Sequence, residues 1–460
     1  MIILGTNSIK DTGFNVANSL RFNDGSSDNL SRSTGTPSSR QKFTFSTWIK
    51  LSSVSGNRSI FNIETDGNTT LFFMVKNGDQ LHFVDYNSGA EQAKLTTNAL
   101  HRDPSAWYHV VLRLDSTQGT NTDRCRLYVN GSEVTSFSAT VYPSQNYNFT
   151  NNVGNTRIGV SQGDANYWDG YMAETVYCDN QSLDPTSFGE FDEDSPTIWK
   201  PIDVSGLTFG NEGFYLDFEN ASSLGADVSG NGNNFTVNNL TSIDQSTDTC
   251  TNNFATLNPL VNFNSGVFSE GNCAITYGDD TISTIGVTKG RWYWEAQRTN
   301  TATEAHFGIG LSKGFYSATS IVSDGDRLYT RSGATYFSAV SNLSILTFGS
   351  NSGTSAAVGN GDVISFYLDL ESSTKNITIK KNDGATPIVN VDLTYSGAEP
   401  IFAFCRMNSG CSSSWNFGNP IAALSSANSD PNGYGSFEYS TTLNSVDYYA
   451  LCTKNLAEYG

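Results

Sequence analysis

Basic residues are scarce in this chain. Lysine and arginine together number 26, against 45 aspartates and glutamates, so the formal net charge at pH 7 is −19. No run of basic residues occurs anywhere in the sequence. Binding to nucleic acid or to anionic lipid depends on clustered Lys and Arg side chains. The composition therefore argues against both of these partner classes.

Long hydrophobic runs are also missing. No stretch approaches the ~20 apolar residues that a membrane-spanning helix needs. The chain starts with the short apolar run Ile2-Ile3-Leu4, whereas a signal peptide has a basic start and about 7–15 apolar residues. We therefore expect a protein made in the cytoplasm without a secretion signal and without membrane insertion.

Cysteine is sparse, and its spacing does not match a metal site. The seven cysteines include no CxxC pair, which argues against a zinc site and against a dense disulfide framework. Buried free thiols in β cores are the favoured interpretation. Cys405 and Cys411 leave one alternative open, because they could face each other across a hairpin.

Catalytic motifs are absent as well. No Gly-x-Ser-x-Gly elbow precedes a helix, no HExxH or P-loop occurs, and of the four histidines His82 and His109 lie inside alternating strands. Glycosidases need two carboxylates that flank the sugar bond. The closest acidic run, residues 190–194, lies next to Pro196 and is interpreted as a solvated loop. The sequence predicts no catalytic residues, and thus not an enzyme.

What the chain does have is aromatic, glycine-rich and turn-rich sequence. Aromatic residues make up 12% of it, with 28 Phe and 21 Tyr, and there are 42 Gly. Aromatic and β-branched residues favour strands, and Gly, Asn, Asp and Ser favour turns. At 460 residues the chain is too long for one hydrophobic core. We predict an all-β protein of two antiparallel β-sandwich domains joined by an ordered bridge, with residues 1–16 as an N-terminal attachment arm.

Residues 17–198 contain a succession of short alternating strands. Residues 71–76 and 80–84 predict a hairpin around Asn77-Gly78-Asp79. The series "FTFSTWIKLSS", "SIFNIETDGNTTLFF", "WYHVVLRLD", "RLYVNGSEV" and "DGYMAETVYCDNQSL" resembles the concanavalin-type jelly roll of the laminin-G and pentraxin families. That resemblance implies a two-sheet sandwich with binding loops at its rim.

Residues 199–262 are rich in Asn, Gly, Ser and Asp. They resemble a connector found in virion proteins of marine bacteriophages, between a jelly roll and a following sandwich. A flexible linker has few apolar residues, whereas this segment contains Phe214, Tyr215, Leu216 and Phe218. We therefore expect this segment to be ordered and to pack against a neighbour.

Residues 263–460 resemble the SPRY β-sandwich in the order of their motifs. Residues 289–295 correspond to the first long strand of that family, residues 362–370 and 377–381 to its central hairpin, and residues 413–418 to its closing strand. The family binds partners through loops at one end of the sandwich. On this resemblance, Tyr316 and Arg327 are candidate ligand-binding residues.

The laminin-G and pentraxin resemblance also implies a calcium site. Members of these families hold Ca²⁺ at a loop rim, through Asp and Asn side chains and carbonyl oxygens. The matching positions here are Asp66 and Asn68 in one loop, and Gln162 and Asp164 in another. Ordinary Asx turns are the alternative. Ca²⁺ is the one cofactor that the sequence implies.

Exposed aromatic residues beside Asp and Asn are typical of sugar-binding sites. Tyr167 and Trp168, in "DANYWDG", form such a pair and are candidate ligand-binding residues. The alternative for Trp168 is that it plugs the edge of the sandwich.

The leading hypothesis is a bacteriophage virion protein, a tail fibre or spike at the virion surface that binds a host-surface glycan or protein. The N-terminal arm would attach it to other virion proteins, and a homo-oligomer, favoured as a trimer, is expected by analogy with fibres. A head-decoration or collar protein without a receptor is the structural alternative. A polysaccharide-degrading enzyme is the third hypothesis, and it lacks its carboxylate motif.

Overall fold

Nearly every regular element of the protein is a β-strand. The structure is a computed structural model, and it describes residues 11, 13–261, 266–301, 305–311, 327–331, 337–340 and 345–460. The chain divides into an N-terminal unit, Thr12–Thr251, and a C-terminal unit, Asn252–Gly460, to which Asp11 also belongs. The predicted all-β class is confirmed.

Eighteen strands and four short 3-10 helices are described in the N-terminal unit. The strands are β1 Ser19–Phe22, β2 Asn29–Thr34, β3 Lys42–Leu51, β4 Arg58–Asp66, β5 Thr69–Lys76, β6 Gln80–Asn87, β7 Ala90–Leu100, β8 Trp107–Asp115, β9 Cys125–Val129, β10 Ser132–Glu133, β11 Phe137–Val141, β12 Gly154–Ile158, β13 Gly170–Asp179, β14 Gly189–Phe191, β15 Trp199–Pro201, β16 Phe214–Leu216, β17 Thr236–Asn238 and β18 Gln245–Ser246. The 3-10 helices are Asp24–Ser26, Asn121–Asp123, Pro185–Ser187 and Ser242–Asp244.

These strands form two large antiparallel sheets. The first has the order β10-β9-β8-β3-β13-β1-β18, with β16 also paired to β13. The second has the order β11-β7-β6-β5-β4-β12-β2-β17. Alternate side chains of both sheets fill one core, in which Phe45 stacks on Phe61 with ring centroids 4.3 Å apart. The predicted hairpin is confirmed, because β5 pairs with β6 through the turn at residues 77–79.

The connector belongs to the N-terminal unit. Its strands β16 and β18 join the first sheet, and β17 is the edge strand of the second. Phe214, Tyr215, Leu216 and Phe218 are buried, as expected of a packed segment. The prediction of a separate bridge at 199–262 is wrong in its boundaries, because residues 199–251 supply strands that complete both sheets.

A buried ion pair fastens the end of the connector to the first sheet. Lys50 Nζ lies 2.6 Å from Asp248 Oδ2, and both side chains are at most 1% exposed. Trp107 Nε1 donates to Asp248 Oδ1 at 3.1 Å, and Ser19 Oγ donates to the carbonyl oxygen of Asp248 at 2.6 Å. These contacts join residues far apart in the sequence, which a periodicity pattern does not report.

Sixteen strands and one α-helix are described in the C-terminal unit. They are β19 Val267–Ser269, β20 Ala274–Val287, β21 Arg291–Thr301, β22 Ala305–Leu311, β23 Arg327–Arg331, β24 Phe337–Val340, β25 Leu346–Phe348, β26 Val363–Asp369, β27 Lys375–Lys381, β28 Val389–Tyr395, β29 Ile401–Asn416, β30 Asn428–Ser429, β31 Ser436–Phe437, β32 Thr442–Leu443, β33 Val446–Asp447, β34 Tyr449–Ala450 and α1 Thr453–Tyr459.

Most of these strands belong to one twelve-stranded sheet. Its main path is β24-β23-β22-β29-β21-β26-β27-β28-β25, and β20 pairs with β29 along most of its length. The predicted central hairpin is confirmed as β26 and β27. The end of the chain covers the outer side of β21 and β26, where Tyr293, Tyr367 and Phe437 pack together.

The cysteines settle one open alternative. Cys405 and Cys411 both lie in the single long strand β29, which excludes the alternative that they face each other across a hairpin. All seven cysteines are free thiols, and six are buried. The interpretation as buried β-core residues is therefore confirmed for those six.

No helix in the described part of the chain has both the length and the apolar character needed to cross a membrane.

Candidate functional site

A cleft lies on the outer face of the second sheet of the N-terminal unit, where β12, β2 and β17 run side by side. Leu30 and Ile158 point into the core, so the residues on either side of them face outward. In the antiparallel register, Arg157 lies opposite Ser31, and Ser31 lies opposite Thr236. The strand pairing therefore places polar residues from three distant sequence segments side by side. We call this the polar cleft.

The polar cleft has a volume of about 440 Å³, and all of its lining residues except Tyr167 are polar. Among the residues that line it are Asn29, Ser31, Asn155, Arg157, Thr236 and Asn238. Asn238 Nδ2 donates to Asn29 Oδ1 at 2.9 Å and to Ser31 Oγ at 3.1 Å, which fixes the amide at the edge strand. Amides and hydroxyls held on rigid strands form a surface suited to a ligand rich in hydroxyl groups.

The loop between β12 and β13, Gly159–Asp169, forms one wall of the polar cleft. Trp168 anchors this loop: its ring is fully buried in the core, and its backbone N–H donates to the carbonyl oxygen of Gly159 at 2.8 Å. The neighbouring Tyr167 is half-buried and lines the cleft. The prediction that Trp168 is an exposed sugar-stacking ring is wrong, because its side chain fills the core, whereas Tyr167 lies where a ligand can reach it.

The charges of the polar cleft nearly cancel. Arg157 Nη1 lies 2.8 Å from Asp164 Oδ1, and Arg157 Nη2 lies 3.6 Å from Glu64 Oε2. The Asp164 side chain is 72% exposed, so this contact is a surface ion pair of small net energy. The cleft therefore offers hydrogen-bonding groups without a strong local charge.

The four predicted calcium ligands lie in two adjacent loops. Gln162 Nε2 donates to the carbonyl oxygen of Asp66 at 3.3 Å, and Asp66 Oδ1 accepts from the backbone N–H of Asn68 at 2.8 Å. Gln162 thus presents an N–H group to this carbonyl, and Asp164 faces the Arg157 guanidinium. A hard cation needs several converging oxygen atoms. Within the described ranges, no group of three or more His, Cys, Asp or Glu side chains could hold a metal ion. As arranged, these residues do not fit a calcium ion.

Of the two candidate residues of the C-terminal unit, the structure describes Arg327. Arg327 is 4% exposed, and its Nη1 lies 3.4 Å from Oδ2 of the buried Asp280. Its prediction as a ligand-binding residue is wrong, because an arginine held in a buried ion pair cannot contact a surface ligand. Tyr316 lies outside the described residues.

His109 takes part in a Ser–His contact that resembles a catalytic pair, but its proton lies on the nitrogen that faces the serine. His109 Nε2 lies 2.8 Å from Ser46 Oγ, and Trp199 Nε1 donates to His109 Nδ1 at 3.0 Å. Because Nδ1 accepts, a neutral His109 carries its proton on Nε2, the nitrogen that faces the serine. A general base needs a free lone pair there. Burial lowers the pKa of His109 to about 3, so the ring stays neutral.

The acidic run near Pro196 is held by a lysine. Lys200 Nζ lies 3.5 Å from Glu190 Oε1 and 3.2 Å from Asp192 Oδ2. Asp192 Oδ1 also accepts from the backbone N–H of Asp194 and of Ser195. Glu190 belongs to β14, which pairs with β15, so the run is partly strand rather than only loop as predicted. These carboxylates therefore have local structural partners.

The geometry of the polar cleft can be compared with known families. Residues 24–180 match the model of the concanavalin A-like lectin/glucanases superfamily, in its laminin-G-type form. The match includes β2, β12 and the Gly159–Asp169 loop, which supply two walls of the polar cleft. It ends before β17, the wall that the connector provides. The N-terminal unit thus has a laminin-G/concanavalin-like fold.

Several solved structures are similar at low sequence identity. A pentraxin from Limulus polyphemus is 17% identical, over 37% of this chain and 80% of its own, with a TM-score of 0.29. Mouse laminin α1 domains LG4–5 are 11% identical, over 88% of this chain and 89% of theirs, with a TM-score of 0.30. The SPRY domain of human HERC1 is 14% identical, over 35% of this chain and 96% of its own, with a TM-score of 0.26. No curated protein matches the chain.

Sequence reasoning found Tyr167 and Asp164 but missed most of the polar cleft. Asn155, Arg157, Ser31 and Asn238 belong to three short strands that are distant in sequence. The outward positions of each strand alternate with buried ones, and that period-two pattern was the available signal. It does not report which strands are neighbours in the sheet.

Proposed function

We propose that this protein is a glycan-binding protein, and that the polar cleft is its binding site. The observation that carries the proposal is the composition of the cleft: amides, hydroxyls and one half-buried tyrosine ring on the outer face of a lectin-type sandwich. A sugar offers hydroxyl groups at its edges and a patch of C–H groups on its face. The lining amides fit the hydroxyl groups, and Tyr167 fits the C–H face.

We also propose binding rather than catalysis. The Ser46–His109 contact is buried and has the wrong proton arrangement, and the carboxylates at residues 190–194 are engaged by Lys200 and by backbone N–H groups. Loss of a host glycan during incubation with the purified protein would contradict this part of the proposal.

The test of glycan binding is a glycan array with the full-length protein, followed by titration of the best ligand. Tyr167→Ala and Asn155→Ala should each weaken binding about tenfold, because each removes contacts worth roughly 1.4 kcal/mol. Asn98→Ala is the matched control, since Asn98 is exposed on β7, which three strands separate from β12 in the same sheet. Binding that survives both cleft substitutions would exclude the polar cleft as the site.

The biological setting that we propose is the surface of a bacteriophage virion, in a tail fibre or spike that binds a host-surface glycan. Its support is the resemblance of residues 199–262 to connectors of phage virion proteins. Immunogold labelling of purified virions would test it. Label at the tail favours the receptor-binding role, label on the head favours a decoration protein, and no label rejects the virion setting.

A further inference from the structure

A second cleft lies on the same outer face, on the other side of the Gly159–Asp169 loop. It has a volume of about 320 Å³, and its lining includes Asn57, Phe72, Met74, Lys76, His82 and Asn166. Phe72, Met74 and Lys76 alternate along β5 with the core residues Leu71, Phe73 and Val75. We call it the aromatic cleft.

The rings of Phe72 and His82 line the aromatic cleft, and the ring of Tyr86 lies next to Phe72, outside the lining. The centroid of Phe72 lies 5.7 Å from that of His82 and 6.1 Å from that of Tyr86, and all three rings are half-buried. His82 is held in place because its Nδ1 lies 2.8 Å from Thr96 Oγ1. Part of this apolar platform is open to solvent, as a surface that stacks on a ligand ring must be.

The local charge of the aromatic cleft is opposite to that of the whole protein. Lys76 is exposed, and no ion pair to it is found among the residues that the structure describes. Lys94, in contrast, is paired with Glu91. Burial, Lys76 and Lys94 together lower the pKa of His82 to about 4, so the ring is neutral at pH 7. At physiological ionic strength charges are screened beyond about 8 Å, so the nearby lysine outweighs the distant acidic surface.

An amide donor lies beside Lys76. Asn57 Oδ1 accepts from the backbone N–H of Asn77 at 2.8 Å, and this bond directs the side chain. The Nδ2 group of Asn57 has no hydrogen-bond partner in the part of the chain that the structure describes. An ammonium and an amide N–H next to an aromatic platform are suited to a carboxylate attached to a ring.

We propose that the aromatic cleft binds a sugar ring that carries a carboxylate. The ring lies on Phe72, and the carboxylate accepts from Lys76 Nζ and Asn57 Nδ2. This inference rests on the proposed glycan-binding function and narrows its ligand class, because the polar cleft on its own has no preference for charge. The ligand would then be an acidic glycan, with its uronate-type residue in the aromatic cleft.

Calorimetric titration of the full-length protein with oligogalacturonate and with its neutral methyl ester tests the proposal. The acid should bind at least tenfold more tightly than the ester, and added salt should weaken the binding of the acid but not that of the ester. Lys76→Met should remove this difference in affinity, and Phe72→Ala should weaken the binding of both ligands. Lys375→Met, at an unrelated strand of the C-terminal unit, is the matched charge control and should change nothing.

Two outcomes separate this inference from the proposed function. If neutral glycans bind through Tyr167 and the acid shows no advantage over its ester, the aromatic cleft inference is overturned and the polar cleft stands. If Lys76→Met binds the acid as tightly as the native protein does, the inference fails in the same way. If neither acidic nor neutral glycans bind, both proposals fail.

Discussion

Glu174 should make the stability of the protein fall as the pH rises towards 8. It lies in β13 at a bulge, where the pairing with β3 shifts register between Ala173 and Val176. Its backbone φ is +48°, a left-handed conformation that is unusual for a glutamate. The side chain is 6% exposed. Ionisation of this buried carboxyl group, which is held in strained backbone, should therefore destabilise the first sheet.

Burial and neighbouring acids raise the pKa of Glu174. Burial is the largest cause, and the carboxylates of Asp217, Glu219 and Asp203 add to it, which brings the pKa to about 8. The hydrogen bond from Tyr215 Oη, at 2.6 Å, acts in the opposite direction but does not offset the burial. Glu174 is therefore mostly protonated in the folded protein at neutral pH.

The direction of the pH effect on stability follows from the pKa of Glu174 in the folded and the unfolded states. The unfolded chain releases this proton near pH 4.5, whereas the folded protein holds it up to about pH 8. The contribution to stability is complete below pH 4.5 and is lost as the pH rises to about 8. Between pH 5 and pH 8 the loss amounts to about 3 kcal/mol, since each unit of pKa difference is worth about 1.4 kcal/mol.

The assay compares Glu174→Gln with the native chain by thermal unfolding at several pH values. The variant cannot ionise but keeps an oxygen for the Tyr215 hydroxyl, so its stability relative to the native chain should rise by about 3 kcal/mol from pH 5 to pH 8. That corresponds to roughly 6 to 12 °C in Tm for a unit of this size. Glu133→Gln, at an exposed carboxylate, is the control. A difference in Tm that stays constant with pH would refute the reasoning.

Three further outcomes are expected. Lys50→Met leaves the buried Asp248 carboxylate without its cation, so it should lower the free energy of unfolding by about 3–5 kcal/mol. Adding Asp248→Asn should restore much of that free energy, and denaturant titration of both variants measures the two changes. Trp168→Ala should cost about 3–5 kcal/mol and also weaken glycan binding, because the core anchor of the Tyr167 loop is lost; Trp168→Phe should do less in both measurements. Millimolar Ca²⁺ should leave Tm unchanged in the native chain and in Asp66→Ala. A calcium-dependent rise in Tm in the native chain alone would contradict the conclusion that these residues do not fit a calcium ion.

Much of the fold could be predicted because period-two alternation is a local property. It located the hairpin of β5 and β6, whereas the hairpin of β26 and β27 was predicted from the resemblance to the SPRY sandwich. Phe214, Tyr215, Leu216 and Phe218 likewise marked the connector as packed, because so much apolar surface is not left in water.

The candidate site was only partly predictable. Tyr167 and Trp168 are adjacent in sequence, and composition alone could not tell which ring enters the core and which lines the polar cleft. The backbone path of the Gly159–Asp169 loop made that choice, by placing Trp168 between the sheets. Arg327 shows the same limit, because its partner Asp280 comes from another strand of the sheet.

By itself, the sequence determined the all-β class and the presence of two folding units, because composition and alternation depend on neighbouring residues. The tertiary structure decided where those units divide and which residues form the clefts. It did so through strand order: β17 of the connector pairs with β2, and β2 pairs with β12, so Thr236, Ser31 and Arg157 meet on one face. Contacts over more than a hundred residues of chain depend on how the sheets close, and no local pattern encodes that.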